Sequence, residues 1–140
     1  MMDQYPGTSV HFRLQFTGFD LGLFSTCSGL GAQVEVEQRP EGGSNGFVWQ
    51  LPTRVTYPNV TLGRGLTPDS ARISAYLSGL QRGTTRGTAQ ITALDPTLRS
   101  VIATWSLREV MLVRWAGPSF DPSRSEIATE SVELAHHGFL

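Results

Sequence analysis

Glycine and proline interrupt this sequence at short intervals, and this spacing limits the folds that the chain can adopt. Fifteen glycines and eight prolines are spread over 140 residues, so most uninterrupted segments have the length of a strand rather than that of a helix. Residues 10–16 alternate apolar and polar side chains with a period of two, which predicts a strand with one apolar face. The chain length predicts a single domain, residues 1–140.

The patterns along the chain predict a mainly β fold with one helix. Strands are expected at residues 10–16, 21–24, 34–37, 47–51, 59–62, 88–94, 100–107, 110–115 and 126–136. Residues 110–115 are almost continuously apolar, so both faces of that strand should be covered. A helix is expected at about residues 68–81, because Thr67 can cap it and Pro68 suits its first position. An apolar stripe of helical spacing follows at Ile73, Tyr76, Leu77 and Leu80.

The charge balance argues against nucleic acid or an anionic membrane as the main partner. Eleven basic residues stand against twelve acidic ones, for a net charge of −1, whereas such partners require a basic surplus. No apolar run approaches the roughly 18 residues of a membrane span, and residues 1–8 lack the features of a signal peptide. We therefore expect no specific nucleic-acid binding, no membrane insertion and no signal peptide.

The reactive side chains do not form a recognisable catalytic or metal-binding pattern. Cys27 is the single cysteine, and a lone cysteine is typical of a small apolar core residue. His136 and His137 are adjacent, so on a strand they point to opposite faces and cannot hold one metal together. Glu133 and His137 could share a face, but two ligands do not make a closed zinc site. The sequence predicts no enzyme, no metal site and no cofactor.

A β protein with this many strands has edges that must be covered or paired, and copies arranged in a ring can pair them with each other. Residues 39–51 combine a glycine-rich loop with an apolar strand, which predicts an arm that docks on another subunit. Phe47 and Trp49 would be its anchors. Arg64, Arg108 and Arg114 are expected to pair with carboxylates within or between subunits. The candidate interface residues are Arg39, Glu41, Asn45, Phe47, Trp49, Arg64, Arg108 and Arg114.

Five segments, in order, resemble motifs of the tail-tube protein family of contractile phages and phage-like extracellular contractile injection systems, which have the Hcp-like tube fold. They read GLFSTCSGL at 22–30, RPEGGSNG with a following LP at 39–52, NVTLGRGLT at 59–67, WSLREV with WAGP at 105–118, and EIATESVELAH at 126–136. The resemblance starts near Phe12 and ends at Phe139, so it extends over nearly the whole chain.

This resemblance implies two packed antiparallel sheets in a barrel-like sandwich with one flanking helix, assembled as stacked hexameric rings. The rings would form a hollow inner tube inside a contractile sheath. The implied partners are further copies of the chain, the sheath protein, baseplate, spike and cap proteins, and protein cargo in the lumen. The implied location is a particle or virion that assembles in the bacterial cytoplasm and can be released from the cell.

Alternatives remain open at this point. A tube-initiator or baseplate ring protein would have the same fold, whereas a monomeric β-barrel ligand-binding module or a small hydrolase would not form rings. The lumen-lining face is also open: a polar, weakly charged lumen could use the face of His11, Arg13 and Gln15 or that of Glu35 and Glu37.

Overall fold

The computed structural model describes residues 10–40, 48–80, 86–118, 123 and 128–140. Within them the chain forms nine strands and one helix. The strands are β1 (His11–Phe16), β2 (Phe19–Phe24), β3 (Thr26–Ser28), β4 (Gln33–Pro40), β5 (Val48–Thr56), β6 (Val60–Gly65), β7 (Gly87–Leu94), β8 (Val101–Ala116) and β9 (Thr129–Ala135), and the helix is α1 (Ser70–Leu80). The expected mainly β fold with one helix is confirmed.

A two-residue turn joins β1 to β2. Phe16 pairs with Phe19, and the residues between them, Thr17 and Gly18, have φ angles of 50° and 75°. Positive φ at both central positions defines the type I′ turn, whose twist matches that of the flanking strands. A β-branched residue adopts this conformation at a cost, so Thr17 is a locally strained position.

Helix α1 begins at Ser70, two residues after the expected start, because the preceding residues form its capping turn. The Thr67 hydroxyl accepts a hydrogen bond from the Asp69 N–H at 3.2 Å, and the Ser70 N–H donates to the Thr67 carbonyl at 3.0 Å. Ile73 is fully buried, while Tyr76 and Leu77 pack against the core. The side chain of Leu80 lies outside the described part of the molecule.

Seven strands form one continuous antiparallel ladder in the order β2-β1-β7-β8-β9-β6-β3. The long strand β8 pairs with β7 up to Val110 and with β9 from Met111 onward. Glu109 has a φ of 50° at this change of partner, which marks a bend in the strand. We call β2, β1, β7 and the first half of β8 sheet A, and the second half of β8 with β9, β6 and β3 sheet B.

The two sheets pack face to face around one hydrophobic core. Both sheets and the helix contribute to it, through Leu14, Phe16, Leu21, Phe24, Val60, Leu62, Ile73, Ala89, Ile91, Leu107, Val110, Val132 and Leu134. The expected sandwich is therefore present. It does not close into a barrel among the described residues, because β2 and β3 stand at the two ends of the strand order.

The segment 110–115 differs from expectation in two respects. It is the continuation of β8 rather than a separate strand. One of its faces is also not covered by the chain itself, since Val113 is 43% and Trp115 38% exposed. Apolar surface therefore remains at the end of β8.

Candidate assembly surfaces

The outer edge of β2 is closed by a side chain instead of another strand. The Arg64 guanidinium donates from Nη1 to the carbonyl oxygens of Leu21 at 2.8 Å and Leu23 at 3.1 Å. The Leu23 N–H, on the same edge, donates to the Asp69 carboxylate at 3.5 Å. These bonds occupy backbone groups that an added strand would need, so β2 is not open for pairing with another copy.

Arg64 is held in the interior by a buried ion pair. Its Nε donates to Glu130 Oε2 at 2.9 Å, and the two side chains are 2% and 1% exposed. Glu130 also accepts hydrogen bonds from the Ser70 hydroxyl and from Trp115 Nε1, the latter at 3.2 Å. The guanidinium lies 4.2 Å from the centre of the Phe24 ring, in cation–π contact. The cluster ties sheet A, sheet B and the start of α1 together.

Burial alone would raise the pKa of Glu130, because an apolar environment disfavours the charged form. The hydrogen bonds from Ser70, Arg64 and Trp115, with the positive charge of Arg64, outweigh burial and hold the pKa below its ordinary value. Glu130 is therefore ionised in the fold. Of the two alternatives for Arg64, the pairing with a carboxylate lies within the chain, where its side chain is 2% exposed.

The first half of β8 keeps an edge that no described strand covers. The C-terminal residues run along part of that edge, where the Leu140 N–H donates to the Ser106 carbonyl at 2.9 Å and the Arg108 N–H to the carbonyl of Gly138 at 2.9 Å. Beyond them, residues 101–105 pair with β7 alone. Because every second residue directs its N–H and C=O to the same side, Thr104 presents both groups to this uncovered edge.

The arm expected at residues 39–51 belongs to a longer hairpin of β4 and β5. These two strands pair with each other and with no other described strand. Five large apolar side chains of the hairpin are about half exposed: Val34, Val36, Val48, Trp49 and Val55. An ion pair between Glu35 and Arg54 lies on its surface. A projecting ribbon with this much exposed apolar area is typical of a protein–protein contact.

The remaining candidate residues have different environments. Arg39 approaches Glu37 at 3.5 Å, but both side chains are more than half exposed, so the pair contributes little. Arg108 donates from Nε to the His137 carbonyl at 3.1 Å and so holds the C-terminal segment on β8. Within the described ranges no carboxylate lies within ion-pair distance of Arg108 or Arg114. Three candidates lie outside the described residues: Glu41, Asn45 and Phe47.

Of the reactive side chains, Cys27 is partly buried and His136 is buried. Burial raises the pKa of Cys27 to about 11, so its thiolate is scarce near neutral pH. His136 packs between the rings of Tyr57 and Phe139. No group of three metal-ligating side chains is found among the described residues, and no helix there is long and apolar enough to cross a membrane.

A carboxylate partner was expected for Arg64, but Glu130 was not identified as that partner, although the sequence carries a sign of the pair. In β6, Arg64 occupies the next position on the apolar face after Val60 and Leu62. In β9, Glu130 occupies the position on the apolar face just before Val132 and Leu134. A single charge on the apolar face of each of two strands indicates a buried pair when those strands are neighbours. Here they are, since Arg64 is opposite Glu130 in the β6–β9 register.

An uncovered strand edge and a hairpin with exposed apolar side chains are surfaces typical of a structural protein that assembles with other chains. The family of the T4-like virus tail tube protein gp19 matches residues 8–140, and the chain belongs to that family. Its role is that of a structural subunit of a tail tube.

Solved structures have the same fold. A chain of the anti-feeding prophage (AFP) baseplate, 6-fold symmetrised, is similar with a TM-score of 0.74 and 24% identity over 100% of this chain and 96% of its own. A chain of the sheath–tube complex of the extracellular contractile injection system PVC has a TM-score of 0.77 at 19% identity, over 98% and 91%. Hcp1 from Salmonella typhimurium has a TM-score of 0.51 at 15% identity, over 92% and 83%. No curated protein matches the sequence significantly.

Proposed function

We propose that this chain forms hexameric rings that stack into the hollow inner tube of a contractile injection system or phage tail. The tube would lie inside a contractile sheath and contact baseplate, spike and cap proteins at its ends. Family membership supports the tube. The similar chains come from a six-fold baseplate and from a sheath–tube complex, which supports the ring symmetry and the sheath. The role is mechanical, and the subunit assembles in the cytoplasm before it enters the particle.

The uncovered edge of β8 carries this proposal. Its backbone groups around Thr104 need partners once water is excluded. The hairpin of β4 and β5 has strand edges and exposed apolar side chains but pairs with nothing else described in its own chain. If a hairpin strand of one copy pairs with β8 of the next copy, the β8 backbone groups gain hydrogen-bond partners and the hairpin gains a surface to pack against. Because the two surfaces differ, the contact is head-to-tail, and such contacts close into a ring when the rotation between neighbouring copies is a whole fraction of a full turn.

A second candidate is a ring of the same fold that starts the tube at the baseplate. The similarity to a chain of the AFP baseplate favours it. The two candidates differ in copy number, because a tube subunit repeats along the whole particle whereas an initiator forms one ring. Quantitative mass spectrometry of purified particles separates them.

The first prediction is that Trp49→Ala gives a folded subunit that no longer polymerises. Trp49 is half exposed, so its truncation changes the core little, while loss of an aromatic anchor at an interface typically costs 2 kcal/mol or more, an order-of-magnitude figure. Circular dichroism checks the fold, and mass photometry and negative-stain microscopy check assembly.

Leu66→Ala is the matched control, since Leu66 is another exposed apolar side chain that lies outside the hairpin and β8. It should assemble as the wild type does. Normal tubes from Trp49→Ala would refute the role of the hairpin. A wild-type protein that remains a monomer of 15.3 kDa at high concentration would favour the ligand-binding module instead.

A further inference from the structure

A cleft of about 520 Å³ lies where the end of β5 meets β8 and the C-terminal segment. The described residues that line it are Val55, Thr56, Tyr57, Arg108, His136 and His137. Three of the six carry nitrogen donors on their side chains, and none of the six is acidic. The cleft therefore offers hydrogen-bond donors and one permanent positive charge, with no carboxylate in its described lining.

One ring nitrogen of His136 lacks a hydrogen-bond partner, although the residue is only 6% exposed. Its Nδ1 accepts a hydrogen bond from the Gly138 N–H at 3.1 Å, which places the proton of the neutral ring on Nε2. Nε2 is buried and has no partner among the described residues. The rings of Tyr57 and Phe139 pack against the imidazole, with centroids 5.3 Å and 5.5 Å away, and hold its orientation. Because buried donors in native proteins are rarely left unpaired, Nε2 indicates an acceptor that the described chain does not supply.

Arg108 brings a positive charge to the same cleft. Its Nε donates to the His137 carbonyl at 3.1 Å, and two backbone bonds join the same segments, from the Arg108 N–H to Gly138 and from the His137 N–H to Arg108. These bonds hold the guanidinium against the C-terminal segment. Its Nη1 and Nη2 make no hydrogen bond and no ion pair with described residues. Two parallel N–H donors of a guanidinium match the two oxygens of a carboxylate.

We propose that this cleft binds the carboxylate of an acidic side chain from another copy of the chain. The proposal rests on the proposed function, because it requires copies in contact. A carboxylate accepts several hydrogen bonds at once, so one group can take bonds from Arg108 and from His136 Nε2. Both donors lack an acceptor among the described residues, and the same ligand satisfies both.

The position of the cleft favours a second copy as the source of the carboxylate. Val55 and Thr56 belong to the hairpin and Arg108 to β8, the two elements proposed to contact neighbouring copies. Arg108 is expected to pair with a carboxylate within or between subunits, and no described carboxylate of its own chain lies within ion-pair distance. An ion pair enclosed in a cleft is screened by salt less than an exposed one, so this contact adds to the apolar and backbone contacts without making assembly strongly salt-dependent.

The role of the cleft in assembly is tested with Arg108→Gln. The dissociation constant of assembly, measured by mass photometry, should rise about tenfold, because charge-assisted hydrogen bonds are lost. Arg108→Lys keeps a cation in the cleft and should recover part of this loss. Arg114→Gln is the matched control, since Arg114 is exposed and lies outside the cleft. Assembly of Arg108→Gln at the wild-type dissociation constant would overturn the proposal.

His136→Phe separates binding from packing, because it keeps an aromatic ring between Tyr57 and Phe139 but removes the Nε2 donor. It should weaken assembly of the wild type and have a smaller effect in the Arg108→Gln background, where the carboxylate is already lost. Urea unfolding in the Trp49→Ala background should show no such coupling, since no second copy is bound there. Equal effects of His136→Phe on assembly in both backgrounds would contradict a shared ligand.

The ligand class is tested on the unmodified cleft with acetate as the probe. Sodium acetate should raise the dissociation constant of wild-type assembly relative to sodium chloride at the same ionic strength, and it should not do so for Arg108→Gln. In the Trp49→Ala subunit, acetate should shift the His136 imidazole resonances in NMR spectra. No shift would overturn the carboxylate site, and a shift without any effect on assembly would overturn the second copy as its occupant. Failure of the wild type to form rings in chloride would instead overturn the proposed function.

Discussion

At the scale of single residues, Arg64 explains why only part of the sheet edge is left for assembly. A planar guanidinium has five N–H groups, enough to bond a carboxylate and several carbonyls at once. Arg64 uses them on Glu130, Leu21, Leu23 and Asp69. A lysine could not reproduce this set of bonds. The residue thus replaces a missing neighbouring strand along β2.

The second prediction concerns Glu130→Gln. This change leaves the Arg64 charge buried without its counter-ion, and breaking such a pair costs about 3–5 kcal/mol of unfolding free energy. Urea unfolding should be followed in the Trp49→Ala background, so that subunit stability is measured apart from assembly. The double variant Arg64→Met/Glu130→Leu should lower the free energy of unfolding by less than the sum of the decreases that the two single variants cause. Strict additivity would contradict the coupling.

The Arg64–Glu130 pair should also affect how the free energy of unfolding depends on pH in the acid range. The folded pKa of Glu130 lies below its ordinary value of 4.5, so the unfolded chain binds the proton more tightly. Glu130 therefore stabilises the fold above the unfolded pKa, and this stabilisation is lost as the pH falls from about 4.5 through the folded pKa. In Glu130→Gln this part of the acid dependence should be missing. An unchanged acid slope would show that the carboxylate is not stabilised as its contacts indicate.

At the scale of elements, β8 joins the two sheets and also presents the uncovered edge. Its first half contacts β7 and its second half β9, with Glu109 at the bend. The C-terminal segment covers the edge at Ser106 and Arg108 but not at Thr104. The same strand thus completes the sandwich on one side and leaves pairing groups for another copy on the other.

The third prediction is that Thr104→Pro blocks ring formation without unfolding the subunit. Proline removes the N–H that Thr104 directs to the uncovered edge, and proline is tolerated on edge strands when the lost donor faces outward. Size-exclusion chromatography and negative-stain microscopy measure assembly, and circular dichroism measures the fold.

Thr104→Val is the matched control, because it keeps the N–H and removes only the hydroxyl. It should assemble normally. If both variants form rings, β8 does not pair with a neighbouring copy at this position, and the proposed contact is wrong.

At the scale of the whole molecule, the two surfaces proposed for ring formation, the uncovered β8 edge and the β4–β5 hairpin, offer mainly backbone groups and exposed apolar side chains. The net charge is −1, and the exposed ion pairs lie within the chain. The interfaces proposed for ring formation therefore depend mainly on apolar burial and strand pairing, neither of which is strongly screened by salt.

The fourth prediction follows from this distribution. Ring formation should change little when the ionic strength rises from about 0.1 M to about 1 M, over which the Debye length falls from about 10 Å to about 3 Å. Mass photometry across the salt series measures the ring fraction. Dissociation of rings on addition of salt would contradict an apolar and backbone-mediated contact.

Much of this protein was determined by the sequence alone, because the relevant interactions are local. Alternation of apolar and polar residues identified most strands, Thr67 and Pro68 located the helix start within two residues, and the ordered motifs indicated the family. Features that depend on contacts between residues far apart in the sequence were determined only by the tertiary structure. Arg64 meets Glu130 66 positions away, residues 100–107 and 110–115 merge into one bent strand, and the C-terminal segment covers only part of the β8 edge. Periodicity reports which face a side chain takes, but not which strand lies opposite it, and strand pairing determines whether an edge or a charge is covered.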